Sequence, residues 1–589
     1  MVLYSKLNSV HSPQTSLLIV SRNAKLLYWW TLGALMVPNL ALCFTEHFTP
    51  LQSATNIILP LGIIWLLMSI TRKVGVTVWC MFPLIFFAAF QLVLLSIYGR
   101  SVIAVDMFLN VVTTNSSEAG ELLKGLLPAI GCVVVLYLPP LIAGTVAIFR
   151  HKLLSSGMLC HCRRLSRITL FSGLILLGLS LASSTPYSPL RQLYPLNAAY
   201  NLVLAVDRSD NQLHYTEMSG NFSFGATATD SIPEITMIVI GETSRASSWQ
   251  LFGYDRPTTP HLSARTDVIA FPRALSQSNT THKSVPLMLS HLDASEFGDS
   301  IYHVKGVITA FREAGVHTVF ISNQDRNGAL IDSFGEEADT CIFLADSLSH
   351  SRTDMSLIPV VRQIIAAVPR NGKTLIVVHT YGSHYEYSDR YPDDMARFMP
   401  VGQLEAKAEC RQCLVNAYDN SILLTDHLLS AFITDLSNSG IGASLIYTSD
   451  HGEDIFDDNR NLFLHASPIP TYEQLHVPLI LWMNAPYRES HPDRYLGAVA
   501  NSHRPVATST SLFHTAMQLG GLDSPQTHSE SSLVSNSYKP AEYTYLDDHN
   551  EAVLPIVANL DQCDIIRIDS LYTGHIPAHA LAATIARPN

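Results

Sequence analysis

Five long apolar segments, separated by short polar loops, occupy the first third of the chain. A helix needs about 20 apolar residues to cross the hydrocarbon core of a bilayer, and these segments approach or exceed that length. We predict five membrane-spanning helices within residues 1–183, rather than a cleaved signal peptide, because four further spans follow the first. The segments cover roughly residues 26–44, 54–71, 75–98, 123–149 and 168–183.

Basic residues are concentrated in alternate loops of this region. Short loops rich in Lys and Arg remain in the cytoplasm, so the N-terminus is predicted to be cytoplasmic. With an odd number of spans, everything from about residue 184 onward is then expected outside the cytoplasm. The basic residues are Lys6, Arg22 and Lys25 before the first span, Arg72 and Lys73 after the second, and Arg150, Lys152, Arg163, Arg164 and Arg167 after the fourth, with Arg100 as the main exception.

Residues 184–231 have the pattern of a connector. Three prolines interrupt regular structure in its first part. The stretch 197–206 predicts a short amphipathic helix at the membrane surface, and 207–230 is polar and expected to be loose.

From residue 232 onward, apolar strand-like runs alternate with helical patterns. This alternation predicts one large α/β domain over 232–589, with a mostly parallel sheet covered by helices on both faces. The predicted strands are 235–240, 317–322, 374–379, 444–449 and 477–483, and the predicted helices lie at about 284–292, 304–314, 355–367 and 414–435.

Composition narrows the class of protein. Hydrophobic residues make up 48% of the chain and charged residues only 15%, and the net charge is -12. An acidic chain without a basic cluster outside the predicted cytoplasmic loops argues against a nucleic-acid partner.

Four of the nine cysteines fall in the exported part, where disulfides can form. The spacing of Cys410 and Cys413 suits a disulfide, and the pairing of Cys341 and Cys563 stays open.

Two of the predicted strands end in side chains that bind metals. Glu242 follows the run 236–240 and Gly241, and Asp450 and His451 follow the run 445–449. In open α/β sheets, ligands collect at the carboxyl ends of the strands. Carboxylate oxygens and an imidazole suit Zn²⁺ and leave room for one more ligand. Each stretch alone also fits a polar turn, but together they predict a metal site.

Small hydroxyl residues precede the predicted helix at 284–292. Exposed backbone N–H groups at a helix N-terminus and a bound metal both favour the alkoxide, so a threonine there can attack phosphorus. Thr280 and Thr281 both fit this position, and spacing alone fits the commoner role of a helix N-cap.

Six ordered motifs together resemble the membrane-anchored phosphoethanolamine transferases of Gram-negative bacteria, and the five preceding spans also match that family. The resemblance covers nearly the whole chain. The motifs are GETSR at 241–245, FGYDR at 252–256, SNTTHKSVP at 278–286, GSH at 382–384, NAYDN at 416–420 and SDHGE at 449–453.

The resemblance implies an alkaline phosphatase and sulfatase-like fold for the outer domain, and a location in the bacterial inner membrane with that domain in the periplasm. It implies one zinc ion, or two, held by Glu242, Asp450, His451 and the nucleophile. Thr281 is the implied nucleophile, because its offset from Glu242 matches the family without a gap. The group transferred is phosphoethanolamine, taken from phosphatidylethanolamine through a covalent threonine intermediate.

The resemblance also implies roles for residues around the transferred phosphate. His384 and His465 match histidines that bind phosphate oxygens, donate a proton to the leaving alkoxide or hold a second zinc. Asn323 and Gln324 occupy the place of residues that contact the ethanolamine phosphate. His282 and Lys283 flank the nucleophile and could offset phosphate charge.

The acceptor is the least determined part of the comparison. The lipid A enzymes carry a Ser-Cys-Gly-Thr signature in the nucleophile loop, where this chain has Ser276-Gln277-Ser278-Asn279 and no thiol. The resemblance is therefore nearer the branch that modifies lipopolysaccharide core heptose, with lipid A and periplasmic glucans as alternatives. A phosphoglycerol transferase of the lipoteichoic acid synthase type shares fold, threonine and span number.

Two other functions share parts of this pattern. A sulfatase uses an oxidised Cys or Ser in a Cys/Ser-x-Pro-x-Arg loop, and no cysteine of the exported part begins such a loop. A catalytically inactive scaffold that binds envelope polysaccharide would not need the complete set of ligands.

Overall fold

The computed structural model describes residues 13–113, 116–346, 353–402 and 407–573. Contacts divide these residues into two compact units. The first unit comprises the residues up to 108 together with 122–204, and the second comprises the remaining described residues.

The N-terminal part of the chain is helical. Its helices are α1 (Pro13–Thr45), α2 (Pro50–Met68), α3 (Val74–Cys80), α4 (Phe82–Tyr98), α5 (Val105–Thr113), α6 (Ser116–Phe149) and α7 (Ser156–Leu181).

Within the described residues, four of these helices are long and apolar enough to cross a membrane. The qualifying stretches are Asn23–Thr45 in α1, α2 itself, Leu126–Phe149 in α6, and α7. The predicted span at 75–98 is broken into α3 and α4, which meet at an angle of 54°. Pro83 at the start of α4 accounts for the break, because its ring excludes a continuous preceding turn. By length and composition, the described residues therefore contain four candidate spans, or five if the bent pair crosses as one.

Two glycines let α2 and α7 pack closely. A Cβ at Gly62 would lie 2.6 Å from Leu170 Cα, and a Cβ at Gly173 would lie 2.6 Å from Leu59 Cα. Small residues at such contacts are typical of helices in membranes, where close backbone approach replaces the hydrophobic driving force.

The predicted connector is more helical than its sequence pattern indicates. The predicted surface helix extends to Leu213, and part of the polar stretch 207–230 is helical rather than loose. Contacts with distant residues explain the difference, because Arg208 donates to the Asp548 carbonyl at 3.0 Å and Tyr215 Oη donates to Glu337 at 2.7 Å. The helices are α8 (Pro189–Gln192), α9 (Leu196–Leu213) and α10 (Tyr215–Met218).

The second unit alternates strands with helices. Its strands are β1 (Thr227–Ala228), β2 (Glu234–Gly241), β3 (Val268–Ala270), β4 (Ala274–Leu275), β5 (His317–Ser322), β6 (Thr340–Phe343), β7 (Lys373–His379), β8 (Gly442–Ser449), β9 (Asp454–Ile455), β10 (Phe463–Leu464), β11 (Leu479–Met483), β12 (Val506–Ala507), β13 (Leu522–Asp523), β14 (Tyr545–Leu546) and β15 (Ala552–Val553). Its helices are α11 (Pro260–Ser263), α12 (Thr281–Leu289), α13 (Val307–Glu313), α14 (Leu330–Glu336), α15 (Leu357–Ala367), α16 (Arg411–Ser437), α17 (Tyr472–Leu475), α18 (Ala485–Ser490), α19 (Pro492–Asn501), α20 (Thr508–Leu519) and α21 (Gln562–Thr573).

Seven strands form one sheet in the order β3-β11-β8-β2-β7-β5-β6. The five predicted strands are confirmed as β2, β5, β7, β8 and β11. The sheet is mixed, since β11 runs antiparallel to both β8 and β3 while the remaining pairs are parallel. The edge strands β3 and β6 were not predicted, because they are short and partly exposed and so lack a long apolar run.

Strand β2 shows why the strands appear as continuous apolar runs. Ile238 and Ile240 pack into the core on one face, and Ile235, Met237 and Val239 pack into the core on the other. Helices cover both faces, as predicted, so alternate side chains are buried on opposite sides. Helices α12, α13, α14 and α20 contribute to the first core, and α15 and α16 contribute to the second.

All nine cysteines lie within the described residues and are free thiols. The disulfide between Cys410 and Cys413 is therefore absent. Both residues lie at the start of α16, where Cys410 packs against the core between the sheet and α16.

Candidate active site and metal centre

The site lies where two neighbouring strands end. Strands β2 and β8 pair in parallel, with Gly241 opposite Ser449. Glu242 follows β2 directly, and Asp450 and His451 follow β8, so the register brings the three side chains together. All three are almost completely buried.

Thr281 is the first residue of α12 and points at this cluster. Its Oγ1 lies 3.3 and 3.2 Å from the two carboxylate oxygens of Glu242, and 3.2 Å from His451 Nε2. Thr280 is the N-cap residue, and its hydroxyl lies 3.2 Å from Ser278 Oγ instead. Of the two threonines that the residue pattern left open, Thr281 contacts the acidic cluster.

His451 is oriented by its other ring nitrogen. Nδ1 lies 2.9 Å from the Gly452 carbonyl oxygen, which can only accept, so the proton belongs on Nδ1. The lone pair of Nε2 then faces Asp450 Oδ2 at 3.2 Å and Glu242 Oε1 at 3.4 Å. A backbone carbonyl that fixes the tautomer in this way is typical of metal-binding histidines.

Asp450 presents one satisfied oxygen and one orphaned oxygen. Oδ1 accepts from the backbone N–H groups of Thr243 at 3.1 Å and His451 at 2.7 Å. Among the described residues, no hydrogen-bond donor reaches the buried Oδ2. Burial and the negative charge of Glu242 raise the pKa of Asp450 to about 7. A buried oxygen of this kind needs a cation or a proton.

Glu242 is held by hydrogen bonds to both oxygens. Thr243 Oγ1 donates to Oε1 at 2.7 Å, and Gln324 Nε2 donates to Oε2 at 3.2 Å. Burial opposes ionisation, but the Coulombic effect of nearby histidines, His451 first, lowers the pKa of Glu242 to about 2. Glu242 is therefore an ionised acceptor at neutral pH.

His465 and His384 stand beside the cluster. The His465 ring centroid lies 4.2 Å from that of His451 and 5.9 Å from that of His384. His465 Nδ1 is 2.8 Å from Glu453 Oε2, and His384 Nδ1 is 2.8 Å from the Tyr385 carbonyl oxygen. Both rings are thereby fixed at the same edge of the sheet.

The donor set fits a divalent metal ion. Ligand atoms of Glu242, His451 and His465 lie within 4.8 Å of one another, and the orphaned Asp450 oxygen and Thr281 Oγ1 adjoin the same space. Carboxylate oxygens with one or two imidazoles match the preferences of zinc. This cluster shares Glu242 and His451 with the predicted ligand set; it adds His465, whereas the predicted set adds Asp450 and Thr281.

The GSH motif has a structural explanation. Gly382 has a φ of +58°, and a Cβ there would lie 2.5 Å from the Glu242 carbonyl oxygen, so glycine is required. Asp354 accepts from the Gly382 N–H at 2.8 Å, and the Ser383 N–H donates to the Glu242 carbonyl at 3.0 Å. This turn therefore brings His384 to the strand that carries Glu242.

The residues predicted to contact substrate divide into two groups. Gln324 reaches the cluster through Glu242. Asn323 does not, because its Nδ2 donates to Asp354 at 2.8 Å and its Oδ1 accepts from Ser356 at 3.3 Å. The structure thus gives Asn323 partners within the protein.

The two residues after Thr281 also differ. Lys283 is 2% exposed, and its Nζ donates to the Asp547 carbonyl at 2.9 Å. Its ammonium group is therefore bound to the backbone of a distant segment. His282 occupies the first turn of α12 and is half-buried.

Several contributors to the site were not assigned a role from the sequence. Thr243 has a φ of +58°, and both its N–H and its hydroxyl bind the carboxylates of the cluster. Glu453 orients His465. Thr243 lies in the GETSR motif and Glu453 lies in the SDHGE motif. Their position in these motifs is the sequence signal that could have identified them, although roles were predicted only for the metal ligands.

Comparison with protein families matches residues 235–522 to the sulfatase family. The matched stretch runs from β2 to β13. The chain is 27% identical over 316 residues to phosphoethanolamine transferase EptA of Escherichia coli O157:H7, covering 52% of this chain and 57% of that relative. The match thus spans little more than half of the relative.

Two solved structures share the fold of this chain. The integral membrane lipooligosaccharide phosphoethanolamine transferase A (EptA) of Neisseria meningitidis matches with a TM-score of 0.70 and 20% identity, covering 88% of this chain and 99% of that one. The periplasmic domain of Escherichia coli EptC, in complex with Zn, matches with a TM-score of 0.51 and 22% identity, covering 58% and 97%. The predicted combination of N-terminal apolar helices with an alkaline phosphatase and sulfatase-like domain is therefore confirmed as a fold.

Proposed function

We propose that this chain is a phosphoethanolamine transferase that moves phosphoethanolamine from phosphatidylethanolamine to a lipopolysaccharide acceptor. The observation that carries the proposal is the Thr281 hydroxyl, held 3.2 Å from both Glu242 Oε2 and His451 Nε2 at the edge of a sulfatase-family sheet. The similarity to EptA and EptC proteins supports the same reaction class.

The residues that would hold zinc are Glu242, Asp450, His451 and Thr281, with His465 available to the same ion or to a second one. Bound zinc would lower the pKa of the Thr281 hydroxyl and neutralise charge on the transferring phosphoryl group. The orphaned Asp450 oxygen and the fixed tautomer of His451 support this assignment.

In the first half-reaction, the alkoxide form of Thr281 Oγ1 attacks phosphorus and the bond from phosphorus to the diacylglycerol oxygen breaks. The products are a phosphoethanolamine–threonine ester and diacylglycerol, whose oxygen must gain a proton. His384 is the proposed proton donor, and His465 can take this role where its Nε2 does not hold zinc, because both rings adjoin the cluster and each is fixed through Nδ1.

In the second half-reaction, an acceptor hydroxyl attacks the same phosphorus and Thr281 leaves. The imidazole that protonated diacylglycerol takes the proton of the attacking hydroxyl, which restores the starting state. Two displacements at one threonine give a double-displacement pattern, with the covalent enzyme as the shared intermediate.

We infer that the acceptor is a heptose of the lipopolysaccharide core. The support is the nucleophile loop, which has no cysteine between Ser276 and Thr281 and so cannot form the local disulfide expected of the lipid A branch. Lipid A and periplasmic glucans are the alternative acceptors, and phosphatidylglycerol is the alternative donor. Mass spectrometry of lipid A and core oligosaccharide, from cells with and without the protein, would identify the fraction that gains phosphoethanolamine.

We infer further that the chain lies in the bacterial inner membrane, with a cytoplasmic N-terminus and a periplasmic catalytic domain from residue 232 onward. The distribution of Lys and Arg between loops supports this orientation. Anchoring would keep the site near its lipid donor.

A labelling experiment tests the proposal. The full-length protein in detergent is incubated with fluorescent phosphatidylethanolamine that carries the label on its headgroup, and protein-bound fluorescence is measured. Thr281→Ala is expected to abolish labelling, whereas the matched variant Thr280→Ala retains it, because Thr280 contacts Ser278 and not the cluster. Labelling of Thr281→Ala at the wild-type level would contradict the assignment, and an unlabelled wild type would favour an inactive scaffold.

A further inference from the structure

Asn279 lies two residues before Thr281 and is fully engaged in hydrogen bonds. Its Nδ2 donates to the Ser467 carbonyl at 2.8 Å and to Gln474 Oε1 at 2.6 Å. Its Oδ1 accepts from Tyr545 Oη at 2.8 Å. The side chain is 2% exposed, so a partner lost here could not be replaced freely by water.

These bonds join the nucleophile loop to the loop that carries His465. The Asn279 carbonyl accepts from the Ala466 N–H at 3.1 Å, and Ser467 is the next residue. Leu464 and Ala466 have φ values of +70° and +58°, which non-glycine residues adopt only when their surroundings hold them. Through these hydrogen bonds, Asn279 helps to hold the loop that carries His465 against the nucleophile loop that carries Thr281.

Tyr545 supplies the hydrogen-bond donor for the buried Asn279 Oδ1. The Ser467 carbonyl oxygen can only accept, so it fixes Nδ2 at that end of the amide and leaves Oδ1 facing Tyr545 Oη. Without the Tyr545 hydroxyl, the buried Oδ1 would lose this hydrogen bond.

Tyr545 itself is held against the nucleophile loop by its neighbours on the C-terminal hairpin β14–β15. Tyr543 Oη donates to the Ser276 carbonyl at 2.6 Å, and the Leu546 N–H donates to the Gln277 carbonyl at 2.8 Å. Lys283, on the far side of Thr281, bonds to the Asp547 carbonyl. The hairpin thus contacts the chain on both sides of the nucleophile.

We propose that Tyr545 is a positioning residue that acts through Asn279 to hold Thr281 and His465 in reactive alignment. The proposal rests on the proposed function, since it assigns Tyr545 a part in the attack by Thr281. In this chain, hydrogen bonds from a distant hairpin hold a nucleophile loop that contains no cysteine.

The test compares Tyr545→Phe with the matched variant Tyr538→Phe in single-turnover labelling by headgroup-fluorescent phosphatidylethanolamine. Tyr538 is also buried and also donates one hydrogen bond, but its acceptor is the backbone carbonyl of Pro505, at 2.7 Å, and not the nucleophile loop. Tyr545→Phe is expected to lower the labelling rate constant at saturating lipid by about 10-fold or more, because small misplacements of reacting groups are costly. Its half-saturating lipid concentration and zinc content should stay within about twofold of those of Tyr538→Phe.

The final amplitude of labelling counts the folded, competent sites, so a rate change is separated from a loss of folded protein. A double-mutant cycle with Asn279→Ala tests the route. If Tyr545 acts through Asn279, the double variant is no slower than Asn279→Ala alone. If the two substitutions lower the labelling rate independently, so that their effects multiply, Tyr545 does not act through Asn279. If Tyr545→Phe is labelled at the same rate as Tyr538→Phe, Tyr545 is not a positioning residue.

The outcome for the wild type keeps the two proposals distinguishable. A wild type that is never labelled on Thr281 contradicts the proposed function itself. A wild type that is labelled, together with a Tyr545→Phe variant of unchanged rate, contradicts only the positioning role.

Discussion

At the scale of single residues, the site depends on side chains that hold the proposed ligands. Gln324 is the clearest case, because Nε2 donates to Glu242 Oε2 at 3.2 Å and to the Thr380 carbonyl at 2.9 Å. This double contact fixes the amide and presents a donor to the carboxylate. Such partners of metal ligands typically change metal affinity by about 10- to 100-fold when they are removed.

Gln324→Ala should therefore bind zinc about 10-fold more weakly than wild type, as measured by competition with a chromogenic chelator. The neighbouring variant Asn323→Ala is the control, since Asn323 bonds to Asp354 and not to the cluster. It should retain zinc affinity while lowering the melting temperature. Equal zinc affinities for Gln324→Ala and wild type would show that Gln324 does not strengthen metal binding through Glu242.

At this scale, the sequence predicted which side chains converge better than it predicted their individual contacts. Glu242, Thr281, Asp450 and His451 converge in the structure, although they come from three separate segments. The bond of Lys283 to a carbonyl 264 positions away was not predicted, because a basic side chain beside a hydroxyl residue gives no local sign of it.

At the scale of elements, long apolar runs were predictable and short edge elements were not. Strands β2, β7 and β8 are buried on both faces, which gives the unbroken apolar pattern used to find them. Strand β3 has three residues, and its pairing is decided by β11 rather than by its own sequence. The continuation of α9 beyond residue 206 likewise depends on tertiary contacts.

Helix packing in the first unit yields a prediction at the same scale. Gly173→Ala should destabilise the packing of α7 on α2, because the added Cβ would lie 2.6 Å from Leu59 Cα. Overpacking of this kind typically costs about 1–3 kcal/mol. The measurement is thermal unfolding in detergent, followed by aggregation or cysteine exposure.

Gly178 provides the matched control on the same helix, since a Cβ there would meet no atom within 4 Å. Gly178→Ala should leave the unfolding temperature unchanged or slightly raised, because alanine favours helix more than glycine does. Equal effects of the two alanines would contradict the close packing of α2 and α7.

At the scale of the whole molecule, the site gathers residues that are far apart in the chain. Thr281 Oγ1 and His451 Nε2 belong to residues 170 positions apart, and Tyr545 and Asn279 are 266 positions apart. The alternation of strands and helices predicted a mostly parallel sheet, in which the carboxyl ends of parallel strands such as β2 and β8 lie at one edge. The contact of the C-terminal hairpin with the nucleophile loop has no local sequence signal.

Metal removal should affect folding as well as activity. Dialysis against a chelator is expected to abolish lipid labelling and to lower the unfolding temperature, because Glu242 and Asp450 would lose the cation that offsets their buried charges. Restoring zinc should recover both properties, with stability rising with free zinc. Labelling that persists after complete removal of zinc would exclude a metal-activated threonine.

The most direct measurement is peptide mass spectrometry of wild-type protein after a short incubation with phosphatidylethanolamine and no acceptor. The account predicts one added phosphoethanolamine group on the peptide containing Thr281, with fragment ions that place it on that residue. An adduct located on Thr280 or on another residue, or lipid turnover with no adduct at any time point, would contradict it.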